Sequence, residues 1–374
     1  MRIKTTLITL FALINLQAHA AQILIPMDDT QANHLKAYGI AYWVLQSGVE
    51  INWMLNYKGG SFMFIQNPKF ESELKLRGVS YNVISEGQAN QIVSEILDPQ
   101  VNEDVVKLEK VPKICVYSPK DKRPWDDAVT LALTYAEIPY DIIYDEEIVQ
   151  GKLALYDWMH LHHEDFTGQY GKFYNMYRNA TWYQEQQRSM ESMAKQLGFA
   201  KVSQMKLAVA KRIKEFVAGG GFLFTMCSGT DTYDIALSAE GLDICESMYD
   251  GDGTTPSYND HLDFSKTFAF RNYTLSVNPL EYRFSNIDVT TTRRVPRDED
   301  VFTLFDFSAK WDPVPTMLCQ NHMQVIKGFM GQTTAFNKNY IKPDVIIMGE
   351  NKAANEAKYI HGDFGKGTWT FYRS

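Results

Sequence analysis

Between Ser203 and Met226 the hydrophobic period of this chain changes with no linker between its two halves. Met205, Val209, Ile213, Phe216 and Val217 recur at helical spacing, which predicts an amphipathic helix capped by Ser203. Gly219-Gly220-Gly221 ends that helix, and Phe222-Leu223-Phe224-Thr225-Met226 follows at once as an apolar strand. A strand without a polar side needs cover on both faces, which restricts the chain to layered folds around a central sheet. The preceding hundred or so residues repeat the alternation. Ile114 to Tyr117 reads as a strand. A helix then starts at Pro124 with Asp126 and Asp127, and buries Ala128, Leu131, Ala132 and Tyr135. Residues 140–144 and 153–161 read as further strands. The expected fold is therefore α/β, with a mostly parallel sheet and helices on both faces.

The rest of the chain divides around this core. Residues 1–20 have the form of a secretory leader: Arg2 and Lys4, an apolar run over residues 7–16, and Ala18-His19-Ala20 as a small-x-small cleavage site. Residues 21–110 form an N-terminal α/β unit, with strands near residues 23–25, 50–55 and 61–65 and a helix carrying Leu35, Tyr38, Tyr42 and Leu45. Residues 111–249 form the core. Helical periodicity disappears over residues 250–312, where short β-type runs alternate with turn residues and predict a β-rich insertion. Residues 313–374 return to the core with strands at 345–348 and 368–372.

Composition narrows the function classes. With 37 basic and 45 acidic side chains and no basic block, a nucleic-acid partner is disfavoured. No later stretch is apolar enough to span a membrane, so the mature chain is expected to be exported, periplasmic or extracellular, without a membrane span. Cys115, Cys227, Cys245 and Cys319 contain no CxxC pair, which argues against a zinc ribbon or a dithiol redox site. The expected partner is a small molecule, a peptide or a carbohydrate, and no cofactor is expected.

Two places concentrate chemistry. The strand Phe222–Met226 runs straight into Cys227-Ser228-Gly229. A nucleophile on a sharp strand-to-helix turn projects from the strand end, and the next backbone N–H groups can face a developing oxyanion. Cys227 is the candidate nucleophile, with Ser228 and Gly229 as the oxyanion side. The second place is His160-Leu161-His162-His163-Glu164-Asp165. At the carboxyl end of a parallel strand these groups would lie beside the elbow. His163 or Glu164 would act as base, and His162 and Asp165 would line the pocket. Two or three of them could hold a divalent ion, but the HxHH pattern alone does not specify one. His322 and His361 are further pocket candidates.

On the order of these segments the chain resembles the class I glutamine amidotransferase-like superfamily, whose elbow reads G-x-C-x-G; here Thr225 replaces the first glycine. The mature chain also resembles exported bacterial proteins often labelled asparagine synthetase B. That likeness rests on Ile25-Pro26-Met27-Asp28-Asp29-Thr30-Gln31, residues 155–173 and residues 328–372. The resemblance implies a flavodoxin-like core and thiol chemistry on an amide or other acyl group. It also implies a histidine after a late strand, where this sequence has only Arg373 and Ser374. No phosphate-binding glycine loop accompanies it, so the expectation is an exported amidotransferase-like hydrolase rather than a synthetase. The alternative is a non-catalytic binding protein for a sugar or peptide.

Overall fold

The computed structural model describes residues 21–119, 128–292, 294–296, 300–320, 324–327, 334–351 and 354–373. The leader-like segment, the helix start at Pro124, Asp126 and Asp127, and His322 lie outside the described residues.

A first sheet contains β1 (Gln22–Ile25), β2 (Ile51–Leu55), β3 (Ser61–Ile65), β4 (Asn82–Ile84) and β5 (Asp104–Leu108), in the order β4-β1-β3-β2-β5. Each of its pairs is antiparallel. Alternation along β1 and β3 sends Ile23, Ile25, Phe62 and Phe64 to one side, under α1 (His34–Gln46) and α2 (Pro68–Leu76). Leu24 and Met63 go to the other side, under α3 (Glu86–Ile96). The helix starts are those their sequences call for. Asn33 caps α1, Asn67 precedes Pro68 at α2, and Ser85 with Gln88 forms a capping box at α3.

The second sheet contains β6 (Ile114–Tyr117), β7 (Asp141–Ile143), β8 (Trp158–His162), β9 (Phe222–Met226), β10 (Val301–Leu304), β11 (Val325–Lys327), β12 (Phe336–Asn337), β13 (Ile346–Asn351), β14 (Glu356–Phe364) and β15 (Gly367–Tyr372). Its order is β11-β10-β13-β14-β15-β9-β8-β6-β7, with β12 on β14. The pairs β7–β6, β6–β8, β8–β9 and β9–β15 are parallel. The pairs from β15 outward through β14, β13, β10 and β11 are antiparallel.

This overturns the expectation of a mostly parallel, flavodoxin-like or amidotransferase-like sheet. Connector length is the cause. Only Gly365 and Lys366 separate β14 from β15, and a link that short permits only an antiparallel hairpin. The short link from β2 to β3 imposes the same on the first sheet. Of the expected β-rich insertion at residues 250–312, β10 is the one named strand among the described residues; over 250–296 there are short helical turns and isolated bridges, such as Leu275 to Ser285. A carboxylate replaces the ladder there. Asp234 accepts from the backbone N–H of Phe268 at 2.7 Å, Ala269 at 2.7 Å and Phe270 at 2.9 Å, so this apolar segment is buried with a carboxylate on one side and a single β-bridge, Phe270 to Ile341, on the other.

Helices fix the parallel half. α4 (Ala128–Ala136) packs Leu133 on Ile114 and Val116 of β6. On the other side Cys115, Tyr117, Met159, Leu161 and Leu223 share a core with α5 (Asp145–Val149), α7 (Thr181–Gln196), α8 (Val202–Ala218) and α9 (Ser228–Ser238), while α6 (Tyr174–Tyr177) lies before α7. All four cysteines are free thiols.

The two sheets meet through α1 and α4. A Cβ on Gly39 would lie 1.8 Å from the carbonyl oxygen of Ala136, so glycine is what lets the helices approach. Asn33 Nδ2 also donates to Tyr135 Oη at 2.6 Å across this contact. Gly39→Ala should lower unfolding stability by about 1–3 kcal/mol through overpacking. A shift of the urea midpoint checks this, and an unchanged midpoint would contradict the close contact.

Candidate functional site

Register creates the site. In the ladder β8–β9–β15, His162 and Tyr372 both pair with Met226 on the last rung. His163, Cys227 and Arg373 therefore stand side by side, each one residue past the end of its strand. The Cys227 N–H continues the ladder for one bond, donating to the Tyr372 carbonyl at 3.0 Å.

Two of the three have strained backbones. Cys227 has φ 51° and ψ −134°, and His163 has φ 51°. Positions of this kind cost roughly 1–3 kcal/mol each and persist only where the surroundings over-determine them. At the elbow the surroundings are tight. The Cys227 carbonyl accepts from Thr230 N at 3.2 Å and Thr230 Oγ1 at 2.6 Å. Ser228 begins α9 and is half-buried. A Cβ at Gly229 would lie 2.3 Å from Leu161 Cδ2, so a bulkier residue would push the elbow off β8. The first N–H groups of a helix have no intrahelical acceptor, and those of Ser228 and Gly229 follow the thiol directly.

The left-handed turn at His163 also changes which side chains meet. On a regular strand neighbouring residues point to opposite faces. Here the rings of His162 and His163 lie with centroids 3.7 Å apart. One ring nitrogen of each and Cys227 Sγ all lie within 4.8 Å of one another. His163 is exposed, while His162 and Cys227 are half-buried. His163 also borders a cavity of about 130 Å³ walled by Tyr170, Phe173 and Trp182. Trp182, Gln186 and Met190 are shared with a larger chamber of about 550 Å³ that reaches Tyr144, Glu146, Glu147 and Glu185.

Glu164 and Asp165 do not join the thiol. The Glu164 carboxylate accepts from Lys206 Nζ at 3.1 Å and from Tyr144 Oη at 3.0 Å. Lys206 is fully buried, lies 2.8 Å from Asp145, and donates to Tyr117 Oη at 2.9 Å, with Tyr117 in turn bonded to Asp145. Its ammonium also sits 4.8 Å from the Tyr144 ring centroid. Burial pulls the Lys206 pKa down, but Asp145 and Glu164 outweigh it and hold it above the usual value. Asp165 organises the next loop by accepting from Thr167 N at 2.7 Å and Gly171 N at 2.8 Å.

No motif or spacing in the sequence marks Arg373 as a site residue. It is buried, 3.0 Å from Asp231 in the first turn of α9 and 2.9 Å from Asp288. Burial pulls its guanidinium pKa down, while Asp231, Asp288 and, less, the nearby Cys227 hold it up. Tyr282 belongs to the same neighbourhood: burial raises its phenol, with Asp288, Asp231 and Cys227 adding to the rise. Lys206 did carry a signal, because it falls in phase with Val202, Val209, Ile213 and Val217 on an otherwise apolar stripe. A lysine there must find buried carboxylates. Replacing it in Lys206→Met strands two of them, and stability in urea should fall by about 3–5 kcal/mol.

His361 lies elsewhere. It sits on β14 opposite Thr370, with Nδ1 3.1 Å from Thr370 Oγ1, and is buried. Burial lowers its pKa below 6.5, opposed by Asp363. A folded pKa below the unfolded one means that the unfolded chain binds the proton first. The His361 contribution to stability is thus present above pH 6.5 and lost as pH falls below it, by up to about 1.4 kcal/mol per pH unit. Urea midpoints at several pH values should show this slope in the parent and a flatter one in His361→Gln.

No protein-family model matches the chain, and no curated protein matches it. Among solved structures, a cytoplasmic protein from Salmonella typhimurium is similar over 70% of this chain and 87% of its own, with TM-score 0.35 and 9% identity. A second, from Salmonella typhimurium LT2, covers the same shares at TM-score 0.33 and 12% identity. The GH42 beta-galactosidase Gan42B is similar over 71% of this chain and 28% of its own, at TM-score 0.30 and 12% identity. Likenesses this low identify neither a family nor an activity. Among the described residues no helix is long and apolar enough to cross a membrane.

Proposed function

We propose that this chain is an exported thiol-dependent hydrolase of an amide or other acyl substrate, with Cys227 as nucleophile and His163 as base. The observation that carries the reading is the pairing of two strained residues at neighbouring strand ends, with a thiol and an imidazole brought within 4.8 Å. Export is supported by the leader-like residues 1–20.

In this reading the His163 imidazole takes the Cys227 thiol proton. The sulfur then attacks the carbonyl carbon, and the carbonyl oxygen gains the negative charge. The N–H groups of Ser228 and Gly229 and the positive end of α9 face that oxygen. His163 returns the proton to the leaving amine or alcohol as the carbon–heteroatom bond breaks. Water, deprotonated by the same imidazole, then cleaves the thioester and regenerates the thiol. Arg373, anchored by Asp231 and Asp288, fixes the end of β15 beside the elbow. His162 packs against the base. Glu164 keeps the base's backbone in place through Lys206, and is too engaged there to serve as the base itself.

The second reading, a non-catalytic binding protein, rests on the aromatic wall next to His163. Phe173, Tyr177 and Trp182 contact one another there, and Trp182 is 46% exposed. Such a wall suits a sugar face or a peptide side chain.

Turnover of a panel of p-nitrophenyl esters and amino-acid anilides separates the two. Cys227→Ala should abolish activity, and His163→Ala should lower it by about 10²–10⁴-fold. Iodoacetamide should alkylate Cys227 faster at pH 7 than it alkylates free cysteine. Activity that survives Cys227→Ala removes the nucleophile. Alkylation no faster than that of free cysteine favours binding.

A further inference from the structure

The left-handed backbone at His163 has a second consequence. It brings two neighbouring imidazoles together at the strand end, with one nitrogen of each and the Cys227 sulfur all within 4.8 Å of one another. In a tetrahedral zinc site the metal–nitrogen and metal–sulfur bonds, at about 2.0–2.3 Å, put donor atoms about 3.5 Å apart. The rotation needed to close that difference is small for half-buried and exposed side chains. We propose that His162, His163 and Cys227 form a binding site for a thiophilic divalent cation, Zn²⁺ or Co²⁺, with a fourth position open to solvent.

Two observations support this choice of ligand. The donor set is two imidazoles and a thiol, which selects zinc and its neighbours over magnesium or calcium. The site lies between two buried clusters that each hold two carboxylates around one cation: Asp145 and Glu164 on Lys206, Asp231 and Asp288 on Arg373. Both cations are already matched by carboxylates, so neither leaves unbalanced positive charge to repel a metal ion.

Binding would release the thiol proton to solvent and place the ion on both sulfur and imidazole. The nucleophile and base of the proposed hydrolase would then be engaged together, so the metal-bound form is a silenced form. The site itself does not rest on the hydrolase reading, since it needs only the three donors.

The test is a Co²⁺ titration of the purified chain, followed by the thiolate-to-cobalt charge-transfer absorption. One equivalent should bind with that band, and Zn²⁺ should displace it. The band should vanish in Cys227→Ser and persist in Cys245→Ser. His162→Ala and His163→Ala should each weaken binding by at least about tenfold. In the unaltered protein Zn²⁺ should also protect Cys227 from iodoacetamide, a readout that does not depend on any variant folding. The proposal is overturned if no thiolate band forms at saturating Co²⁺. It is equally overturned if the band survives Cys227→Ser, or if Zn²⁺ gives Cys227 no protection. None of these outcomes bears on ester or anilide turnover, so the two readings fail separately.

Discussion

The parallel ladder joining β8, β9 and β15 is the constraint on which the rest of the site depends. A parallel register has no local turn to define it; it is set by side-chain fit over the whole length of the strands. Leu161, Thr225 and Phe371 lie on one rung, and His162, Met226 and Tyr372 on the next. A slip of one residue along β8 would exchange His162 with His163 and turn Leu161 out of the core. The apolar residues that fix the register therefore also fix which histidine reaches the sulfur. Packing and chemistry are decided by the same contacts.

Two buried cations secure the ends of that ladder. Lys206 holds the loop after β8 through Glu164, and Arg373 holds the start of α9 through Asp231. Burying a charge is costly, and a well-packed apolar substitute is often no less stable. What the ion pairs supply is direction. A guanidinium that meets two carboxylates and Thr334 fits in one orientation, so the end of β15 and the first turn of α9 are fixed relative to each other. An apolar plug would fill the volume without setting that angle.

Much of the local structure was legible in the sequence, and the larger pairing pattern was not. Periodicity located α8, β9 and the strand at residues 114–117, and the elbow at Cys227 was visible because an apolar strand ends abruptly in Ser228-Gly229. The sheet was misjudged because alternation of helix and strand between residues 113 and 226 was extended to the whole chain. The Gly365-Lys366 link already excluded a parallel pairing of β14 with β15. Of the expected β-rich stretch at residues 250–312, Val301–Leu304 is a strand, but the residues before it are not, because β-type composition says that a segment will be buried, not what will satisfy its backbone. Asp234 does so from another helix. The role of Glu164 was hidden for a related reason. Its neighbours in sequence are histidines, but its partner, Lys206, is 42 residues away on α8.

The strain at His163 and Cys227 follows from these same supports. A single left-handed residue at a strand end relaxes if the next segment can shift. At Cys227 the next segment is α9, whose residues from Gly229 to Ser238 are buried and whose Asp234 anchors the backbone of residues 268–270. At His163 it is Glu164, held by its carboxylate on Lys206 and by its carbonyl, which accepts from Thr232 Oγ1 at 2.9 Å. That last bond ties one strained turn to the helix that fixes the other. Relaxing either turn would require moving α9, so the thiol and the two imidazoles are kept together by the cost of disturbing a buried helix and not by any attraction among themselves.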